Sequence, residues 1–261
     1  MNDAPMNLQV TRQSRVLRIT LNRAEKRNAL NAALCHLIVD AVQEAERDDA
    51  VGAILIDSSG PVFCAGMDLA EASNPDAAEQ TAIHQELFTL GALAAKPIVA
   101  AVQGPALGGG LGLMLNAHVV VAAHGSSFGL TEIRLGMWPF VIFRAVVAAV
   151  GERRAVELAL TGRIFGTPEA QQWGMIHFVT PAFELEDRAA EIANGIAESS
   201  AEAIRIGMQF VRESRHIDSG RWVQLAAELR KGAFASEDFA EGVRAFLEKR
   251  KPEWPSLRRK G

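Results

Sequence analysis

Apolar positions divide the chain into alternating strand and helix signals. Residues 8–21 read as two short strands, with Val16, Ile19 and Leu21 supplying the apolar side of the second. From Asn31 to Asp49 the period changes: Leu34, Leu37, Ile38, Ala41, Val42 and Ala45 recur at steps of three and four, the spacing of an amphipathic helix. The run VGAILID (51–57) has strand length, and PIVAAV (97–102) and HVVVAA (118–123) repeat its character, with a second helical stretch near 78–94. Near-continuous apolar strands between helices predict a mainly parallel sheet covered on both faces. Beyond residue 183 only helices are expected, over 183–199, 201–213, 217–232 and 236–250, with Ser200 and Ser236 as N-caps. Thr167-Pro168-Glu169 reads as a further helix start, with a capping hydroxyl and proline at the first helical position. The segment 72–78, ASNPDAA, is rich in turn formers and is the expected mobile loop.

Composition adds limits to this α/β outline. A chain of 261 residues with 49% hydrophobic and 22% charged residues has the profile of a globular protein and needs no staples to build its core. The net charge of -4 argues against general binding to nucleic acid or to an anionic membrane. No uninterrupted apolar run reaches about 18 residues, and the first ten residues lack a basic-then-apolar signal, so a soluble cytoplasmic protein is expected. Cys35, on the apolar side of its helix, and Cys64, beside a glycine turn, read as core filler, and no histidine or cysteine has metal-site spacing. His124 beside Ser126 and Ser127 does not make a hydrolase, because the chain has no G-x-S-x-G elbow.

The candidate chemistry lies in two glycine-marked turns. SSGPVFCAGMDLAE (58–71) follows the strand at 51–57, and QGPALGGGLGLMLN (103–116) follows the strand at 97–102. Glycine at a strand-to-helix junction lets the backbone turn sharply and leaves its amide open to a ligand. A helix start adds unpaired N–H groups and a positive dipole end. Two such turns side by side suit an oxygen that gains negative charge. The spacing of Gly108, Gly110 and Gly112 does not fit a dinucleotide fingerprint, and no Gly-Lys-Ser/Thr follows for a P-loop.

At these motifs the sequence resembles the enoyl-CoA hydratase/isomerase (crotonase) family. The segment LNRAEKRNAL (21–30) looks like the family's N-R-P-x-x-R-N-A-L. The likeness continues through FCAGMDL (63–69), AVQGPALGGG (101–110), FGLTEIRLGMWP (128–139), ALTGRIFGTPEAQQWGMIHFV (159–179) and FLEKRKPEW (246–254), in family order over essentially the whole chain. The resemblance implies an α/β crotonase-like spiral core of ββα units, here residues 1–195, and a helical C-terminal region, 196–261, that builds a homo-trimer or hexamer. It implies an acyl-CoA substrate and no cofactor or metal, the coenzyme A thioester being the substrate itself.

Carried over residue by residue, the family's pair of thioester-holding N–H groups falls at Ala65 and Gly109. Its second catalytic glutamate matches Glu132. Its first glutamate would stand three residues after Gly109, where this chain has Gly112. The aspartate of the family's dienoyl-CoA isomerases would correspond to Phe140. One acid therefore remains, and an apolar pocket drawn from Met137, Trp138, Phe140 and Phe143 would raise its pKa. For coenzyme A the resemblance points to Lys26, Arg27 and Ala29, to Met67 and Leu69 near the adenine, and to Lys249 at a phosphate. Gly108, Gly112, Trp138 and Phe140 complete the expected substrate site. Asp68 reads as a helix N-cap rather than a ligand.

A lone glutamate suits proton shuttling, so double-bond isomerisation of an enoyl-CoA is the leading expectation. An atypical hydratase or hydratase-lyase is the alternative, with ordered water or another polar group serving at the Gly112 position. A reading from a different class is a CoA-binding or assembly protein without catalysis. Affinity for acyl-CoA without turnover would favour that last reading.

Overall fold

The computed structural model describes residues 7–72 and 77–258. Residues 73–76 of the loop expected at 72–78 lie outside the described residues. The chain begins with a hairpin, β1 (Leu8–Gln13) and β2 (Val16–Leu21), antiparallel with Leu8 opposite Leu21. There follow α1 (Ala32–Arg47), β3 (Ala53–Ser58), α2 (Leu69–Ala72), α3 (Ala77–Leu87) and α4 (Leu90–Leu93). The middle third holds β4 (Ile98–Val102), β5 (Ala106–Leu107), α5 (Gly109–Leu115), β6 (Val119–Ala123), β7 (Ser127–Gly129), α6 (Phe140–Val150) and α7 (Glu152–Thr161). The remainder is β8 (Ile164–Gly166), α8 (Thr167–Gln172), β9 (Phe178–Thr180), α9 (Leu185–Ala197), α10 (Ala201–Ser214), α11 (Ser219–Phe234), α12 (Glu237–Leu247) and α13 (Pro255–Arg258).

One sheet runs in the order β1-β2-β3-β4-β6-β9, parallel from β2 onward. The period of two sends alternate residues to opposite faces. Ile54, Ile56, Ile98, Ala100, Val102, Val120 and Ala122 enter the main core with Leu34, Ile38 and Val42 of α1. Ala53, Leu55, Val99, Ala101, Val121 and Ala123 face the other way, where Leu185, Ala189, Ala193 and Ala197 of α9 cover them. Both faces are thus buried, which explains the uninterrupted apolar strands.

Extended segments after the long strands form a second layer. Leu30 bridges Met67, Cys64 bridges Ala106, and β5 pairs with β7, all in parallel. A long strand, a short extended piece and then a helix recur along the chain, so successive units wind as a spiral with the glycine turns stacked in the second layer. The anticipated boundary at 195/196 falls inside α9, whose Ala197 still packs on the sheet.

Ser200 and Ser236 cap α10 and α12, their hydroxyls accepting from the N–H groups of Ala203 and Phe239. The start expected at Thr167 differs. Gly166 is the cap, Thr167 is the first helical residue and is buried, no side chain caps α8, and the proline falls at the second helical position rather than the first. Among the described residues no helix is long and apolar enough to cross a membrane.

Candidate active site

The two glycine turns touch through their backbones. Cys64 donates to the Pro105 carbonyl at 3.1 Å, and Leu107 donates back to the Cys64 carbonyl at 3.0 Å. A Cβ on Gly110 would lie 2.1 Å from the Cys64 oxygen, and one on Gly66 would lie 2.9 Å from the Leu107 oxygen. No other residue fits either place without displacing main chain. Gly66 also turns at φ +98°, in the region that favours glycine.

Amide bookkeeping identifies the N–H groups left free in this contact. Ala65, expected as a donor, is corrected: its N–H already donates to the Arg27 carbonyl at 3.0 Å. The Gly66 N–H points at the Cys64 sulfur. Leu30 donates to Gly66 at 2.8 Å and Asp68 donates to Leu30 at 2.9 Å. That is a parallel bridge around Met67, so the Met67 N–H faces away from Leu30, toward the second turn. Gly109 opens α5, and neither its N–H nor that of Met67 has a protein acceptor among the described residues. A Cβ on Gly66 would stand 3.4 Å from the Gly109 nitrogen. Met67 and Gly109 therefore present the adjacent pair of open N–H groups.

Glu132 sits on the wall beside them. It begins a 3-10 turn after β7 (Glu132–Leu135), and its Oε1 lies 3.0 Å from where a Cβ on Gly108 would be. Its side chain is buried, and Oε2 has no hydrogen-bond partner. Burial raises the carboxyl above its ordinary value, because the charged form loses hydration and no cation repays it. Among the described residues Arg134 forms no ion pair with Glu132, which is buried rather than solvated.

A cavity of 630 Å³ contains these groups. Of the residues expected there, Ala65, Met67, Leu69, Gly108, Gly109, Glu132, Trp138 and Phe140 line it. Met137 lines it too, whereas Phe143 stands behind Trp138, with ring centroids 5.5 Å apart. Lys26, Arg27, Ala29 and Lys249 do not line it. Arg27 and Ala29 contribute carbonyls to the scaffold instead, Ala29 accepting from Arg23 at 3.0 Å.

Gly112 is also corrected: it is buried and outside the cavity lining. A Cβ there would come 2.2 Å from Ile142 Cγ2 and 3.2 Å from Phe88 Cδ1. Hydrocarbon from α6 and the end of α3 fills the space a side chain would need, so no polar group substitutes at that position.

Sequence reasoning missed several contributors. His84 of α3 and Phe88, just past its end, reach the cavity from one side, and Thr131, Leu107 and Ile142 join them. The 3.6-residue period of the 78–94 stretch could have paired His84 with Phe88, but nothing in it told which face met the glycine turns. Also missed was the brace behind the first turn. Buried Asn28 accepts from the Arg23 N–H at 2.9 Å and donates to the carbonyls of Ser59 and Val62 at 2.9 and 2.8 Å. Arg23 pairs with Asp68 at 2.6 Å, and Asp68 also caps α2 through the Ala70 N–H at 3.1 Å. The Asp68 carboxyl is held below its ordinary range, chiefly by Arg23.

Other polar residues have structural duties. His118 accepts from the Ile98 N–H at 2.9 Å and contacts the Gly91 carbonyl at 3.0 Å; His177 accepts from Val120 at 3.0 Å. Cys35 and Cys64 are buried, and burial pushes both thiols up to about 12. Among the described residues no group of three or more His, Cys, Asp or Glu stands within reach of one metal ion.

A pair of open backbone amides and a desolvated carboxylate thus line one cavity at the stacked turns of a ββα spiral. Residues 11–257 match the family model described as enoyl-CoA hydratase/isomerase, and the chain belongs to that family. It is 37% identical over 249 residues to a probable enoyl-CoA hydratase, echA8, of Mycobacterium bovis, covering 94% of this chain and 96% of that one. It is 35% identical to the 2,3-dehydroadipyl-CoA hydratase of Escherichia coli, covering 94% and 97%. The crystal structure of an enoyl-CoA hydratase from Bacillus anthracis superposes with a TM-score of 0.91 at 30% identity, covering 96% of this chain and all of that one. The fold is accordingly that of the crotonases, and the chain is an acyl-CoA enzyme of this family.

Proposed function

We propose that the enzyme shifts the double bond of an enoyl-CoA, with Glu132 carrying the proton. The observation that supports this is the buried Glu132 carboxylate with an unpartnered oxygen, standing alone where a second carboxylate would meet Ile142. In this reading the thioester oxygen of a 3-enoyl-CoA accepts from the N–H groups of Met67 and Gly109. Glu132 removes a proton from carbon 2. The electron pair moves into the thioester, and the two amides stabilise the resulting enolate oxygen. Each such donor is worth about 3 kcal/mol in the transition state. Glu132, now a carboxylic acid, returns the proton to carbon 4, leaving a 2-enoyl-CoA. Desolvation makes the carboxylate a stronger base than one in water, and the apolar wall of Trp138, Pro139 and Phe140 keeps it so.

Hydration is the second reading, favoured by the names of the relatives, which are hydratases. Both readings use the same oxyanion pair. A paired assay on 3-enoyl-CoA and 2-enoyl-CoA, with the wild type and Glu132→Gln, separates them. Isomerisation that disappears in the variant supports the proposal. Rapid hydration alone replaces it with the second reading, and full activity of Glu132→Gln overturns the assignment of the base. Binding of acyl-CoA with no turnover of either thioester would leave a carrier role.

The reading extends to assembly. Phe239, Val243, Phe246 and Leu247 of α12 expose apolar surface, which supports self-association through the C-terminal helices. Sedimentation of the purified protein tests this against a monomer.

A further inference from the structure

Among the described residues the cavity wall is almost entirely hydrocarbon and backbone, and three of its side chains are ionisable: Glu132, Arg134 and His84. An arginine does not give up its proton in a protein. Glu132 and His84 are therefore the groups of this wall able to exchange one near neutral pH.

His84 is placed by its neighbour. Its ring stacks on Phe88, four residues on and just past the end of α3, with centroids 6.1 Å apart and planes 23° apart. Phe88 in turn reaches the oxyanion turn, since its Cζ lies 3.3 Å from where a Cβ on Gly109 would be. The stack fixes the imidazole against the cavity. Among the described residues neither ring nitrogen has a hydrogen-bond partner, so both are open to a water or a ligand. Glu71 of α2 is the charged neighbour on the scaffold side, anchored where its carboxylate accepts from the Ala32 N–H at 2.8 Å. Glu132 and Arg134 face the same cavity, whereas His36 and Glu86 line a separate groove.

We infer that His84 is a second proton-exchanging residue of this site, the group that takes the proton from water in the hydration reading given above. The inference rests on the thioester placement proposed above, against Met67, Gly109 and Glu132. His84 takes one proton from a water molecule as the water oxygen bonds to carbon 3. The π pair of the double bond moves to carbon 2 and the thioester oxygen. The carboxylic acid form of Glu132 then protonates carbon 2. The atoms of one water are added, and the proton on the imidazolium returns to the Glu132 carboxylate through solvent, restoring both groups. No oxidant, reductant or metal enters.

The electrostatics suit this division. Burial lowers the His84 pKa, keeping the ring neutral and able to accept, while Glu71 partly opposes that shift. Burial raises that of Glu132, favouring the protonated form that can donate. Both shifts favour the state with a neutral imidazole and a protonated carboxyl.

The test measures hydration of a short 2-enoyl-CoA and isomerisation of the matching 3-enoyl-CoA, by the wild type, His84→Gln, His84→Ala and Glu132→Gln. The expected result is that hydration kcat falls about 100-fold in His84→Gln with little change in KM. The ratio of hydration to isomerisation falls with it, the acid limb of the hydration pH profile disappears, and added imidazole restores part of the rate of His84→Ala. Absence of hydration in the wild type would overturn the inference and leave the isomerase reading standing. So would His84→Gln retaining most of its hydration, or the two activities falling together with no imidazole rescue. Full activity of Glu132→Gln in both assays would instead overturn the proposed function.

Discussion

Ile142 stands in the place of a side chain on Gly112. A single carbon added to Gly112 would approach Ile142 Cγ2 to 2.2 Å, far inside van der Waals contact. The missing glutamate is thus a filled volume rather than a vacancy. Gly112→Glu alone is expected to give no gain in hydration and to lose about 1–3 kcal/mol of stability through overpacking. Adding Ile142→Ala should recover part of that stability. Thermal melts of the single and double variants check both expectations.

Glu132 makes the stability of the empty enzyme depend on pH with a definite sign. Its folded pKa is raised above its ordinary value, so the fold binds this proton more tightly than the unfolded chain does. The stabilising contribution is complete below the unfolded value and is lost as pH rises through the folded one. Glu132→Gln should therefore be more stable than the wild type at neutral pH, and this advantage should vanish near pH 4, about where a free glutamate takes up its proton. Denaturant titrations of both proteins at the two pH values decide it.

Met67 and Ala65 are separated by one residue and differ in the fate of their N–H groups. Replacing the Met67 amide by an ester removes an open donor, weakens the Gly66 carbonyl that accepts from Leu30, and should lower kcat by roughly 100-fold with a loss of stability below about 1 kcal/mol. The same replacement at Ala65 removes the bond to the Arg27 carbonyl and should cost about 1 kcal/mol of stability, with a smaller effect on kcat. Semisynthetic proteins carrying each ester, assayed for turnover and denaturation, distinguish the two roles.

The Arg23–Asp68 pair and the Asn28 amide brace the first turn from behind. Asn28→Ala strands the Ser59 and Val62 carbonyls and the Arg23 N–H, and should destabilise the fold by about 3 kcal/mol. Asp68→Asn should cost about 2 kcal/mol at neutral pH. The Asp68 pKa is depressed in the fold, so that loss should shrink as pH falls through its folded value. Unfolding curves at neutral and acid pH measure both.

Much of this architecture was legible in the order of the residues. Strands buried on both faces carry no polar interruptions, so β3, β4 and β6 announced themselves, and Ser200 and Ser236 marked real helix starts. The motifs led to Glu132 and Gly109, and both line the cavity. The choice between Ala65 and Met67 was not, because it depends on which amide a distant carbonyl engages. Arg27 supplies that carbonyl, from a turn where Arg27 and Asn28 both take positive φ. The side chains opposite Glu132 were equally hidden. His84 of α3, Phe88 just after it and Ile142 of α6 are distant from the glycine turns in sequence, and only the folded cavity shows that they share a wall with them.

The backbone contact at Gly66, Leu107, Cys64 and Gly110 has a consequence for redesign. The floor of the cavity is registered by main-chain atoms, so its two amides keep their spacing whatever side chains surround them. The walls are independent of that register. Retargeting the enzyme toward another acyl group or another reaction is a matter of replacing wall residues such as Thr131, Phe140 and Ile142, with residues 64–67 and 107–110 left untouched.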